Sequence, residues 1–247
     1  MIDLHAHILP KVDDGVRSLT EARYLAQQAA AEGIEAITAT PHVRSDYPTT
    51  AERMEHGVEE LRADFAAAGI AVQVLHGGEI ALDRLGEIPL DELRRFTLAQ
   101  SGRYLLLECP YTGSPIALAP AIRALRAAGL TPLIAHPERN PEVQARPARL
   151  EALVELGALV QLTAASVDGR LGRSSRTAAF KLVRRGLAHV VASDAHAPEI
   201  REGGLAAAVE AFGDEALARY LVTETPQAIV AGEAVHPPPR LRRRRFL

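Results

Sequence analysis

Short runs of aliphatic and β-branched residues alternate along this chain with longer stretches in which apolar positions recur every three to four residues. The short runs predict strands near Ile2–Leu4, Ile34–Ala39, Ile70–Leu75, Tyr104–Glu108, Leu130–Ala135, Ala158–Leu162 and His189–Ala192. The stretches between them predict helices, and their ends carry recognisable signals. Ser18-x-x-Glu21 forms a capping box with a stop at Gly33, Thr49-x-x-Glu52 opens the next helix and Gly69 closes it. Gly129, Gly157 and Gly186 each separate a helical stretch from the strand after it. A further helical pair is expected near Gly204–Phe212 and Asp214–Leu221.

A regular strand–helix alternation describes an α/β domain with parallel strands and right-handed crossovers, either an open doubly wound sheet or a closed barrel. No interior linker divides the 247 residues. Residues 1–236 are therefore expected to form one domain, followed by a basic tail over 237–247, PPPRLRRRRFL.

The side chains just past each predicted strand carry the chemistry, because ligands of parallel α/β folds gather at the carboxyl ends of the strands. His5 and His7 come after the first strand, His42 after the second, Glu79 after the third; Glu108 ends the fourth, His136 comes after the fifth, and Asp194 and His196 after the seventh. Strand six offers no candidate. Asp14, in the first loop, can fold over the same rim. Four carboxylates gathered in one pocket repel one another unless cations neutralise them. Imidazole and carboxylate without thiolate suit manganese, iron or zinc, and nine ligands exceed the needs of one ion, so two or three are implied. His56, His76, His189 and His236 fall elsewhere and read as structural or solvated.

Composition narrows the function classes. Apolar residues make up 47% of the chain and charged residues 24%, as in a compact globule, and the formal net charge of −3 gives no reason to expect nucleic-acid binding. The five arginines of the tail are the local exception, a flexible basic segment able to meet a partner or an anionic membrane. Cys109 is the single cysteine, which excludes an intramolecular disulfide; it reads as a packing residue, since the cysteine-phosphatase pattern C-x5-R meets Pro115. Charged residues interrupt the first twenty positions, and no apolar run approaches a membrane span, so a cytoplasmic location is expected. Ser193 precedes Asp194 and His196 but lies in no G-x-S-x-G elbow, and neither a Walker A sequence nor a G-x-G-x-x-G occurs.

The segments MIDLHAHILPKVDDG, TPH at 40–42, GGE at 77–79, LLLECPY at 105–111, AHPERN at 135–140 and SDAH at 193–196 together resemble the PHP superfamily. Within it they are most similar to the capsule-regulating bacterial branch, the manganese-dependent protein-tyrosine phosphatases of the CpsB/YwqE type. The resemblance implies a distorted seven-stranded parallel (β/α)7 barrel holding three metal ions. It implies His5, His7, Glu79 and Asp194 around the first ion, Glu79, Glu108 and His136 around the second, and Asp14, His42 and His196 around the third, with Glu79 as a bridge. It also marks Arg139 and Arg201 as phosphate clamps, a role suited to the guanidinium fork. The segment Val43–Thr50 departs from the pattern.

Three divalent ions against four carboxylates would leave a surplus near +2, able to draw a phosphate dianion. The expected reaction is in-line attack on phosphorus by water activated at the ions. The substrate implied is a phosphotyrosine protein, specifically a bacterial tyrosine kinase with a tyrosine-rich tail in capsule or exopolysaccharide regulation. Histidinol-phosphate phosphatase and metal-dependent C–N hydrolysis are the rival enzymatic readings, and a non-catalytic phosphotyrosine-binding module is the rival of a different class.

Overall fold

The structure, a computed structural model, describes residues 1–197 and 204–239. Helix α1 (Leu19–Ala31) begins as its sequence dictates: Ser18 is extended and its hydroxyl accepts from the Glu21 N–H at 3.2 Å, while the Glu21 carboxylate reaches back to the N–H of Arg17 at 2.7 Å. Helix α2 (Ala51–Ala68) is capped one residue later than expected. Thr50, not Thr49, stands before the first helical residue and accepts from the Arg53 N–H, whereas Thr49 is buried with its own N–H donated to the Tyr47 carbonyl. Gly69 closes α2 in the left-handed conformation, φ +68°, with the Ile70 N–H returned to the Phe65 carbonyl.

Each of the seven predicted segments contains a strand, and the second and third continue, after a split, past their expected ends at Ala39 and Leu75. In chain order they are β1 (Ile2–Ala6), β2 (Ala36–Ala39) and β3 (His42–Val43), β4 (Gln73–Leu75) and β5 (Glu79–Ile80), β6 (Tyr104–Glu108), β7 (Thr131–Ala135), β8 (Leu159–Thr163) and β9 (Val190–Ala192). Every strand pairing is parallel, in one sheet of order β1-β2-β4 and another of order β3-β5-β6-β7-β8-β9. The splits have a local cause. Thr40-Pro41 interrupts the second strand with a residue that has no N–H to give, and His76-Gly77-Gly78 interrupts the third. At Gly78 a Cβ would come within 2.5 Å of the Phe96 ring, so the chain passes there only without a side chain. The two sheets are stitched at the carboxyl end of β1, where the His7 N–H donates to the Ala195 carbonyl and the Asp194 N–H to the His5 carbonyl, both at 2.8 Å.

Alternation along the strands sorts the apolar residues into two clusters. Leu105 and Leu107 of β6, Ile134 of β7, Val160 and Leu162 of β8 and Val191 of β9 face the helices. Ile2, Leu4, Tyr104, Leu106, Leu133, Ala135, Val190 and Ala192 face inward, where Leu75, Leu98 and Ile229 join them. The expected C-terminal helical pair is observed as Ala206–Phe212 and Glu215–Arg219, and it is followed by a π-turn over Tyr220–Glu224 and a further helix, Thr225–Val230, that brings Ile229 beneath the strands. No helix of the described residues is long and apolar enough to cross a membrane.

Candidate metal centre

The inward face changes character at the carboxyl ends of the strands. On β6 the run Tyr104, Leu106, Glu108 shares one face, so the alternation that packs the floor delivers a carboxylate to the top. His136 and Asp194 reach the same place by backbone distortion: both take left-handed φ angles, +36° and +53°, which non-glycine residues seldom adopt. Such geometry, held by the surrounding structure, clusters at functional sites. Gly15 serves the first loop, since a Cβ there would meet the His7 carbonyl at 2.1 Å.

All nine candidates within the described residues converge. Their ligand atoms fall into four overlapping groups, each within 4.8 Å: His5, His7 and Asp194; His5, Glu79 and His136; His42, Glu79 and Glu108; and His7, Asp14, His42 and His196. Glu79 is the hub. Its Oε1 lies 2.8 Å from His136 Nε2, and its Oε2 lies 2.9 Å from His42 Nδ1 and 3.5 Å from the Nε2 atoms of both His5 and His7. All of these side chains are buried except Asp14, which is half exposed at the mouth. Arg139 also reaches the cluster, with Nη1 2.7 Å from Asp194 Oδ2 and its guanidinium carbon 4.9 Å from the centre of the Tyr111 ring. Arg201 lies outside the described residues, as do the tail arginines.

Two residues outside the strand-end set orient the histidines. Gln161, on the inner face of β8, places Oε1 3.1 Å from His5 Nδ1 and accepts from the His136 N–H at 3.3 Å. Asp13 places Oδ2 2.7 Å from His7 Nδ1 and accepts the His42 N–H at 2.8 Å. Each acceptor makes the Nδ1 of its histidine the proton-bearing nitrogen, which turns the Nε2 lone pair toward the centre. His5 Nε2 and His7 Nε2 then face each other at 3.1 Å. Two nitrogens at that separation need a proton or a metal cation between them or beside both, and histidines fixed through their outer nitrogen are the usual ligands of metal ions. Glu79 Oε2 and His136 Nδ1 are likewise buried with no well-aligned hydrogen bond. The donor set therefore fits divalent ions.

Electrostatics agree. Burial works to raise the Glu79 carboxyl, but His5, His136 and His42 hold it well below the usual carboxylate range. Burial, and then the charge of Glu79, push Glu108 up. Burial works to depress the His7 imidazole, yet Asp13 and Glu79 lift it well above its ordinary value. The cluster's carboxylates thus favour positive charge among them, from a protonated histidine or from a bound cation.

The four histidines read as structural or solvated have other surroundings. His56 pairs with Glu60 on the exposed face of α2, His76 lies near Glu59, His189 is buried with Nδ1 accepting from the Val160 N–H, and the carbonyl of exposed His236 accepts from Tyr220. Cys109 is buried, and burial pushes its thiol up, away from the reactive thiolate. Ser193 donates to the His5 carbonyl and accepts from the Ala195 N–H, bonds that position backbone rather than form a triad.

Parallel strands whose carboxyl ends gather five imidazoles and four carboxylates, Glu79 shared between two groups, define an α/β protein with a candidate metal centre. The chain matches the family model described as capsular polysaccharide synthesis, CpsB/CapC, over residues 1–231. It is 33% identical over 254 residues to the tyrosine-protein phosphatase YwqE of Bacillus subtilis, covering 100% of this chain and 98% of that one. It is 26% identical over 246 residues to the tyrosine-protein phosphatase CpsB of Streptococcus pneumoniae, covering 95% and 100%. A crystal structure from work on YwqE and CpsB, described there as unique metal-dependent tyrosine phosphatases, superimposes with a TM-score of 0.88 at 32% identity over 98% of this chain and 100% of that one. The chain belongs to the CpsB/CapC family.

Proposed function

We propose that this protein is a metal-dependent protein-tyrosine phosphatase. The observation that carries the reading is the gathering of five histidines and four carboxylates in overlapping groups, with Glu79 in two of them, in a chain that aligns over its whole length with a named tyrosine-protein phosphatase. In this reading His5, His7, Glu79 and Asp194 hold one ion, Glu79, Glu108 and His136 a second, and Asp14, His42 and His196 a third. Manganese is the expected metal, with iron or zinc as competitors for the same donors. The strand set is read as a distorted seven-stranded barrel within a single domain over residues 1–236, a reading that the isolated bridge between Ala6 and Ala195 supports.

Divalent ions bound there would supply Lewis acidity toward the phosphoryl oxygens and a nucleophile drawn from water at neutral pH. The chain's own residues do the rest. Gln161 and Asp13 fix the rotation of His5 and His7, so their lone pairs stay aimed when the substrate's charge arrives. Arg139, anchored at Nη1 by Asp194, holds its remaining donors at the mouth, where a phosphate dianion would meet them. Arg201 is assigned the matching clamp by its place in the sequence. A phenolate, whose acid has a pKa near ~10, departs with less protonic help than an alkoxide, which suits a site without an obvious free proton donor.

The physiological substrate in this reading is a cytoplasmic phosphotyrosine tail of a bacterial tyrosine kinase that regulates capsule or exopolysaccharide assembly, and the basic tail serves to approach the membrane beside it. Release of phosphate from a phosphotyrosine peptide, a phosphoserine peptide and histidinol phosphate, each with manganese and after chelation, tests the reading. Manganese-dependent turnover of phosphotyrosine above the other two is expected. Preference for histidinol phosphate would move the activity to that substrate, and tight phosphotyrosine binding without turnover would favour a binding module.

A further inference from the structure

Two tyrosines flank the candidate metal centre in matching settings. Tyr47 lies nearly parallel to His42, with ring centres 5.9 Å apart and an interplanar angle of 21°, and Tyr111 lies nearly parallel to His136, at 5.6 Å and 18°. The two histidines sit on opposite oxygens of Glu79, so the tyrosines stand on either side of the hub. Each also carries a guanidinium over its ring: Arg44 lies 5.3 Å from the centre of Tyr47, and Arg139 4.9 Å from the centre of Tyr111. Both arginines reach into the cluster as well, Arg44 to Glu108 at 3.2 Å and Arg139 to Asp194 at 2.7 Å.

Neither ring is placed by core packing. Tyr111 is 41% exposed and Tyr47 half-buried. Their backbones are nevertheless tied down. Arg44 and Tyr47 exchange two backbone hydrogen bonds at 3.0 and 3.1 Å, and the Asn140 side chain donates to the carbonyls of Pro110 and Gly113 on either side of Tyr111. One exposed and one half-buried aromatic ring on fixed loops, next to a buried cluster of metal-ligand type, are arranged for a ligand rather than for stability.

We infer that Tyr47 and Tyr111 are the aryl-recognition walls of the site, holding the ring of an aryl phosphate while its phosphoryl group enters the cluster, and that they set its preference for aryl over alkyl phosphoesters. The inference rests on the phosphatase reading for its physiological meaning, but aryl binding is measurable without turnover. Stacking of one aromatic pair contributes about 0.5–1.5 kcal/mol, so each wall should supply about a 3- to 10-fold preference.

The test is calorimetric binding of phenylphosphonate and methylphosphonate to the manganese-loaded full chain. These two ligands share the phosphonate and cannot be hydrolysed. The wild type should bind the phenyl compound about 10-fold or more tighter. The ratio should fall toward one in Tyr47→Leu/Tyr111→Leu and be kept in Tyr47→Phe/Tyr111→Phe, which retains both rings. Equal affinities in the wild type, or the same ratio in the leucine variant as in the wild type, would overturn the inference. Aryl preference without turnover of a phosphotyrosine peptide would leave the walls in place and sink the phosphatase reading instead.

Discussion

The two ends of the same strands have opposite chemistry. At the amino ends the inner face is closed by Ile2, Leu4, Leu75, Tyr104, Leu106, Leu133 and Val190, with Leu98 and Ile229 beneath. At the carboxyl ends, a few residues further on, the same face presents buried imidazoles and carboxylates. The desolvation cost of gathering those charges opposes folding, and the apolar floor is the part of the inner face able to offset it. The floor therefore carries stability and the mouth carries chemistry. A change at one end should register in a different measurement from a change at the other.

The largest separation is expected from the floor. Leu106→Ala empties a fully buried position between Tyr104 and Glu108 and should destabilise the protein by about 2–5 kcal/mol in denaturant unfolding. Whatever folded protein remains should still bind manganese, because no ligand has been touched.

A smaller effect separates the ends by pH. His189, just before Val190 of the floor, is buried with Nδ1 accepting from the Val160 N–H, and burial holds its pKa down to about 4 against 6.5 ordinarily. Between those values the unfolded chain takes up a proton that the folded chain refuses. The sign is therefore a loss of stability as the pH falls from 6.5 toward 4, levelling below that. The loss should amount to about 3 kcal/mol in metal-free protein, and His189→Gln should remove it. A pH dependence identical in wild type and variant would show that the folded chain tolerates the charged imidazole at this position.

The same division governs how much of the molecule was legible in the sequence. Strand ends were readable because the apolar alternation announces the strands and the charged residues after them stand out against it, which brought His5, His7, His42, Glu79, Glu108, His136, Asp194 and His196 into view. Gln161 escaped because a neutral amide gives no charge signal. Its trace was there, a polar residue between Val160 and Leu162 on the face that must point inward. Asp13 escaped beside Asp14 because adjacent carboxylates in a loop carry no period to tell which one turns inward. The splits in the second and third strands arise from Pro41 and Gly77-Gly78, whose effect depends on neighbours distant in sequence, such as Phe96. Tyr47 and Tyr111 sit on loops, where periodicity is silent and only the folded chain brings each ring onto a histidine.

The central claim is that the mouth is a multinuclear metal site organised by Glu79. Metal analysis of the protein loaded with manganese and freed of excess, run beside Glu79→Gln, tests it most directly. Two or three ions per wild-type chain are expected, with a loss of at least one in the variant, since the hub touches three of its neighbouring histidines through one oxygen and a fourth through the other. One ion or none in the wild type, or an undiminished count in Glu79→Gln, would contradict it.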